Sequence, residues 1–247
     1  MKTIGLIPSR LESSRLPQKP LADICGLPMI VHVYRRALLA KKLDEVYVVT
    51  DSPLILKTLE SYGGKCIMTR SDHQTGTDRI AEAVEKIDCE IAVNIQGDEA
   101  LLDPTHIDKI VSELQNDPNI NIAILVTPFT KKNSPSDIKA VLKLNNDVLY
   151  FSRTDIPSDA RTPNPKLLKA YHILPFRKSF LLQYSKWEKT PLEQIEFNEY
   201  LRILERGYNI RAVHVESSAI SVDTPSDLEY VRTQMINDSY FPKYKNA

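Results

Sequence analysis

Apolar residues in the first half of the chain follow two alternating rhythms. The short runs Ile4-Gly5-Leu6-Ile7, Val46-Tyr47-Val48-Val49-Thr50 and Ile91-Ala92-Val93-Asn94-Ile95 have the length and content of strands buried on both faces. Pro8 ends the first run, because proline lacks the amide that a central strand donates. Between the runs the spacing turns helical. Met29, Ile30, Val33, Tyr34, Ala37 and Leu38 line one face of a helix with Pro28 in its first turn, and residues 53–62 predict a second helix that stops at Gly63-Gly64. Residues 65–68 follow as a further strand, and Thr77 is the expected cap of a helix begun by Asp78 and Arg79. Strand, helix, strand, helix, strand within about seventy residues predicts right-handed crossovers. The fold class is α/β, a mainly parallel Rossmann-like sheet flanked by helices.

The second half is less regular. Residues 121–128 read as a strand, and 140–142 with 148–151 as a hairpin around the turn residues Asn145-Asn146-Asp147. Residues 158–168 carry two prolines and two basic residues and read as a surface loop. One strand is expected over 169–176 and another over 211–215. Thr224 and Pro225 open a final helix running to about Ile236, with a frayed tail after Ser239. The organisation expected is a single domain over 1–247: a first half over 1–130, a mixed β region over 131–215, and a return to the main sheet and a C-terminal helix over 216–247.

Composition narrows the function. The 247 residues are 42% apolar and 26% charged, with 32 basic residues balancing 32 acidic ones. That balance leaves no global field for nucleic acid or an anionic membrane surface. No run approaches the length of a membrane helix, and Met1-Lys2-Thr3 leads directly into a strand, so a cytoplasmic protein is expected. Cys25, Cys66 and Cys89 are far apart and read as buried, reduced thiols. His32, beside an apolar helix face, reads as packed or capping.

The candidate chemistry begins directly after the first strand. Ser9, Arg10, Ser13, Ser14, Arg15 and Lys19 crowd into eleven positions with a single acid, Glu12. A solvated basic loop is one reading. The apolar strand in front, and the stiffening by Pro8, Pro17 and Pro20, favour a grip on a polyanion at the carboxyl edge of a sheet. Arginine forks take two phosphate oxygens at once, and lysine adds a compact charge. The loop is neither GxxxxGK[ST] nor GxGxxG, and glycine is absent between Leu6 and Cys25, so side chains must do the gripping. Further on, residues 69–79 form a polar strand-to-helix loop in which His73 and Gln74 could read a base edge and Gly76 permits close approach. After the strand at 91–95 comes Gln96-Gly97-Asp98-Glu99, an acidic pair suited to Mg²⁺. A helix cap ahead of Pro104 is the plainer alternative.

The segment Pro-Ser-Arg-Leu-Glu-Ser-Ser-Arg-Leu-Pro-Gln-Lys-Pro, at residues 8–20, resembles the opening of the 3-deoxy-manno-octulosonate cytidylyltransferases, the CMP-Kdo synthetases of the sugar nucleotidyltransferase superfamily. Similarity continues through the loop at 69–79, Gln96-Gly97-Asp98-Glu99, the stretch Tyr150 to Pro157, and Val222-Asp223-Thr224-Pro225, and so covers nearly the whole chain. The resemblance implies transfer of CMP from CTP to a 2-keto-3-deoxy sugar acid, with release of pyrophosphate, to supply an activated sugar for lipopolysaccharide. It implies catalytic roles for Arg10, Arg15 and Lys19. CTP contacts fall on Pro8, Ser9, Arg10, Lys19, Arg70, Ser71, His73, Gln74, Gly76 and Asp98. Acceptor contacts fall on Gln96, Ser152, Arg153, Tyr171, His172 and Glu199. Asp98 and Asp223 would hold Mg²⁺, Glu99 ranks behind them, and a homodimer is implied, with 1–130 as the nucleotide-binding half and 131–215 as the acceptor-binding and dimerisation region. A nucleotidyltransferase acting on another sugar acid, a sugar phosphate or an alditol phosphate is the alternative.

The chain also departs from the family pattern. Gln18 stands where the family has glycine, and Ala100 where it has proline. In Lys169-Ala170-Tyr171-His172-Ile173-Leu174 the family's acceptor-side histidine falls on Ala170, its glycine on His172 and a tyrosine on Leu174. Asn198-Glu199-Tyr200 replaces Leu-Glu-Gln. All but the first two changes lie on the expected sugar side, which predicts an acceptor other than unmodified Kdo, for instance an amino-substituted analogue.

Overall fold

A computed structural model describes every residue except Ser14, Thr162 and Ala247, so the hydroxyl expected of Ser14 lies outside the described residues. The chain divides into two compact units, residues 1–108 with 219–247, and residues 109–218. Residues 109–130, grouped in sequence with the nucleotide half, are therefore part of the second unit.

The first unit opens with β1 (Thr3–Pro8), followed by a tight hairpin of β2 (Asp23–Ile24) and β3 (Leu27–Pro28). Its turn places Cys25 and Gly26 at positive φ, and Cys25 is exposed rather than buried as expected. Pro28 belongs to β3 and flanks α1 (Met29–Ala37) from outside, not from within its first turn. Then come β4 (Glu45–Thr50), α2 (Pro53–Ser61), β5 (Cys66–Met68), α3 (Gly76–Glu85) and β6 (Ile91–Ile95). Strands β6, β1, β4 and β5 pair side by side in that order, all parallel. All five residues of β6 and the first five of β1 are buried, which is why both read as unbroken apolar runs. Helix α1 packs on β1 and β4, and α3 on β1, β4 and β6.

Helix α4 (Pro104–Asn116) carries the chain into the second unit. There β7 (Ala123–Phe129), β8 (Lys139–Leu142), β9 (Val148–Ser152), β10 (Leu167–Tyr171) and β11 (Ile173–Arg177) are followed by the short helices α5 (Lys178–Tyr184), α6 (Pro191–Glu196) and α7 (Leu201–Glu205), then β12 (Arg211–His214). The sheet order is β12-β7-β10-β8-β9, antiparallel except for the β12–β7 pair. The single strand expected over 169–176 is broken at His172 into β10 and β11. The hairpin turn matches its prediction: Asn146 has φ 65°, and the Asn145 side chain accepts from the Asp147 amide at 3.1 Å.

The chain returns to the first unit through α8 (Pro225–Ile236) and α9 (Phe241–Tyr244). Leu228, Val231 and Met235 of α8 form one buried cluster with Ile24, Met29, Ala100 and Val222. The tail expected to fray is anchored. Tyr244 is buried, its hydroxyl lies 2.8 Å from His32 Nδ1, and Asp238 holds both terminal nitrogens of buried Arg36 at 2.8 and 3.0 Å. An aromatic side chain and an ion pair outweigh the local polarity from which fraying is read. Among the described residues, no helix is long and apolar enough to cross a membrane.

Candidate active site

The carboxyl ends of β1 and β6 open onto a cleft of about 500 Å³. Three segments expected to carry chemistry meet there: Pro8, Ser9, Arg10, Arg15 and Lys19 from the basic loop, His73, Gln74 and Gly76 from the loop before α3, and Gln96 and Asp98 after β6. Asp223 completes the wall.

The centre of the arrangement is Lys19. Its ammonium lies 2.6 Å from Asp98 Oδ2 and 3.2 Å from Asp223 Oδ1, and Arg15 reaches the same Asp223 oxygen at 3.0 Å. Backbone contacts fix this convergence. The Val222 amide donates to the Asp98 carbonyl at 3.0 Å, so the segment before α8 is pinned to the end of β6. Thr224 caps α8 in a capping box with Asp227, and the Asp227 carboxylate also accepts from the Asp223 amide at 3.1 Å. Glu99 is directed away from this role. It is 3% exposed, does not line the cleft, and accepts from Ser221 Oγ at 3.1 Å, bracing the two segments.

The basic loop turns where the family pattern has glycine. Gln18 adopts φ 52° and ψ 33°, a left-handed conformation that glycine takes without penalty. The turn therefore survives the substitution and delivers Lys19 into the cleft. Gly97 is held to its identity by space, since a Cβ there would stand 2.9 Å from the Pro8 carbonyl oxygen.

The loop before α3 is held differently from the expectation. Thr75, not Thr77, caps α3: its hydroxyl accepts from the Asp78 amide at 3.1 Å, and Asp78 accepts from the Thr75 amide at 3.1 Å. Thr77 is fully buried inside the helix. Two residues that sequence reasoning did not single out for the site, Arg79 and Glu82, secure this loop. Arg79 lines the cleft, reaches Thr69 Oγ1 at 2.7 Å and the Arg70 carbonyl at 3.2 Å, and pairs with Asp51 at 3.3 Å. Glu82 accepts from the Arg70 amide at 3.1 Å and lies 2.6 Å from His73 Nε2. Helical spacing from Asp78 through Glu82 to Lys86 marks this polar face in the sequence. Arg70 and Ser71 are exposed and do not line the cleft.

Two carboxylates converging on one point fit Mg²⁺, which takes one or two protein carboxylates and fills its shell with phosphate oxygens and water. The Lys19 ammonium already shows that the point between Asp98 and Asp223 accepts a positive charge. Among the described residues no cluster of three or more His, Cys, Asp or Glu could hold a metal by itself.

Residues 4–211 match the family model described as Cytidylyltransferase. The chain belongs to the cytidylyltransferase family. Among its relatives, the 3-deoxy-manno-octulosonate cytidylyltransferase of Escherichia coli is 40% identical over 239 residues, covering 96% of this chain and 97% of that protein. The enzyme of the same name from Myxococcus xanthus is 43% identical, covering 95% and 96%. A solved structure of CMP:2-keto-3-deoxy-manno-octonic acid synthetase complexed with CTP superposes with a TM-score of 0.93 at 40% identity, over 96% of this chain and 99% of that one. A 4-diphosphocytidyl-2C-methyl-D-erythritol synthase from Anaerococcus prevotii, 15% identical with a TM-score of 0.63, shares the fold alone.

The remaining expected residues of this cytidylyltransferase lie in the second unit. Ser152 Oγ donates to Glu196 at 2.7 Å, and the Arg153 amide donates to the same carboxylate at 2.8 Å. The Arg153 guanidinium reaches the carbonyls of Glu196, Pro135 and Phe197 at 2.7 to 2.9 Å, so three of its five donors serve the fold. Tyr171 is buried at the end of β10, and the Glu199 carbonyl accepts from Tyr184 Oη at 2.9 Å. His172 stacks on Tyr200 with ring centroids 5.9 Å apart, and burial, with Lys169 and Arg153 nearby, pushes its pKa down to about 4. Ala170 and Leu174, two of the departures from the family pattern, are fully packed.

Proposed function

We propose that this cytidylyltransferase transfers CMP from CTP to the anomeric hydroxyl of a 2-keto-3-deoxy sugar acid, either Kdo or a modified Kdo such as an 8-amino analogue, and releases pyrophosphate. The reading rests on one observation above others: the Lys19 ammonium, at the end of the basic loop, joins Asp98 and Asp223 within hydrogen-bond distance. Relatives about 40% identical over nearly their whole length, named for this reaction, support it. The hydroxyl oxygen attacks the α-phosphorus, the bond to the bridging oxygen breaks, and pyrophosphate leaves. Arg10, Arg15 and Lys19 hold the triphosphate and stabilise the negative charge that builds on the leaving group. Pro8, Ser9, His73, Gln74 and Gly76 surround the nucleoside. Asp98 and Asp223 are the residues that would hold Mg²⁺, which when bound screens phosphate charge and favours ionisation of an alcohol.

Gln96, Ser152, Arg153, Tyr171, His172 and Glu199 are proposed as acceptor contacts on the strength of their sequence positions, as is a homodimer. A cytoplasmic supply of activated sugar for lipopolysaccharide completes the reading. Changes at Ala170, His172 and Leu174 favour an acceptor other than unmodified Kdo. The deciding experiment measures pyrophosphate release from CTP with Kdo, its 8-amino analogue, other keto-deoxy acids, sugar phosphates and alditol phosphates. Release only with phosphate acceptors overturns the sugar-acid assignment. Full turnover of Kdo beside poor turnover of its analogues overturns the altered specificity. Light scattering tests the dimer.

A further inference from the structure

The loop from Thr69 to Thr75 is gripped from one side by a polar face of α3. Arg79 holds the Arg70 carbonyl and the Thr69 hydroxyl, while Glu82 holds the Arg70 amide and the His73 ring. Lys86, one turn on, donates to the other Glu82 oxygen at 2.8 Å. The contact to His73 is short, 2.6 Å, and both side chains are largely covered, with 7% of His73 and 14% of Glu82 exposed. Burial alone would push the Glu82 carboxyl up, yet the hydrogen bonds from Lys86, His73 and the Arg70 amide outweigh it and hold its pKa down at about 2. Glu82 is thus an ionised carboxylate near neutral pH, and such a group only accepts. The hydrogen on this contact must come from His73 Nε2. In the neutral ring that leaves Nδ1 without a proton, as an acceptor.

We infer that Glu82 is a positioning residue for base selection: by fixing the tautomer and orientation of His73, it makes the ring a hydrogen-bond acceptor on the nucleotide side of the loop. The inference rests on the reading of the cleft as a nucleotide site and states which base chemistry the site prefers. A base with an exocyclic amino group, as in cytosine, supplies the donor such an acceptor requires. Uracil offers a carbonyl oxygen at the same place, which leaves two acceptors facing each other. Unmatched polar groups in a covered site are discriminated against more strongly than missing contacts.

Long-range proton–nitrogen NMR of the histidine rings tests the first half on the wild-type protein above pH 7.5. His73, assigned by its absence in His73→Gln, is expected in the Nε2-protonated form, and an Nδ1-protonated ring overturns the inference whether or not any variant folds. The second half is tested by calorimetric binding of CTP and UTP to wild type, Glu82→Gln and the control Lys86→Met, with thermal unfolding recorded for each. The Glu82→Gln amide can donate to Nε2, so its CTP-over-UTP preference is expected to fall roughly tenfold. Its His73 spectrum should then show both tautomers. Lys86→Met, which removes the partner of the other Glu82 oxygen and a contact to the Met68 carbonyl but leaves the oxygen facing His73 in place, should keep the wild-type preference. A folded Glu82→Gln protein with an unchanged preference overturns the assignment. Failure of wild type to bind CTP would instead remove the nucleotide reading itself.

Discussion

Protonation of one buried ring should make the first unit acid-sensitive well above the carboxylate range. His32 is fully buried in α1, with Nε2 2.7 Å from the Ile24 carbonyl and Nδ1 2.8 Å from the Tyr244 hydroxyl. A carbonyl only accepts, so Nε2 carries the hydrogen, and Nδ1 accepts from the tyrosine. The neutral ring satisfies both partners, whereas a second ring proton would face the tyrosine oxygen beside two arginines. Burial pushes the pKa down from 6.5 to about 4, with Arg36 and Arg35 adding to the effect against the opposing Ile24 contact and Asp23. Above pH 6.5 the ring is neutral whether the chain is folded or unfolded. As pH falls below that, the unfolded ring takes a proton that the folded ring refuses, so stability is lost progressively down to about pH 4. At about 1.4 kcal/mol per pH unit the gap amounts to roughly 3 kcal/mol, a large fraction of the 5–15 kcal/mol that typically separates folded from unfolded chains. Urea unfolding followed by circular dichroism at pH 7.5, 6, 5 and 4 measures it, with His32→Gln as the comparison. The amide can serve both partners but does not titrate, so the variant should lose about 1–2 kcal/mol at pH 7.5. Its deficit should then shrink, and reverse, as pH falls. Carboxylates and His172 are common to both proteins and cancel in the difference. Parallel stability–pH profiles for wild type and variant would refute the reasoning.

Other perturbations probe the cleft and the second unit. Lys19→Ala and Asp98→Asn should each lower pyrophosphate release by about 10²-fold or more while circular dichroism stays unchanged, and near wild-type rates in either would remove that residue from the machinery. Gly97→Ala forces a Cβ towards the Pro8 carbonyl 2.9 Å away, so CTP binding measured by calorimetry should weaken by about tenfold; an unchanged affinity means the strand ends part freely. Arg202→Met strands the buried Glu193 carboxylate that Arg202 now holds through Nε at 2.8 Å and through Nη2, and should cost about 3–5 kcal/mol by urea unfolding followed through Trp187. Adding Glu193→Leu should recover much of that loss, and no recovery would show that packing rather than stranded charge is responsible.

The parallel sheet was legible because strands buried on both faces write themselves as apolar runs, as β1 and β6 do. The gathering of Lys19, Asp98 and Asp223 was expected from the family resemblance, since nothing in spacing alone joins positions so far apart. Residues whose work is done through other residues were hidden. Glu82 and Arg79 look in sequence like an ordinary solvated helix face, and only the folded loop shows what they hold. Thr75 and Thr77 are equally good cap candidates by type, and the choice is made by Thr77 being needed in the core. The break at His172 has no local signal, because the residues on either side are as apolar as those of a single strand. The tail misled for the opposite reason: its polar spacing conceals one tyrosine whose partner sits more than two hundred positions earlier.

The first unit is discontinuous in the chain, and this has a consequence for its synthesis. The parallel strands β1, β4, β5 and β6 are all synthesised once residue 95 is added, but Asp98 waits for Val222 and Asp223, and Ile24 and Met29 wait for the side chains of α8. Until Val222, Asp223 and the residues of α8 are added, a nascent chain carries an open apolar seam and half of its acidic pair. Termination before Val222 yields a protein with its parallel strands, no working cleft, and a greasy surface on which chaperones and proteases can act.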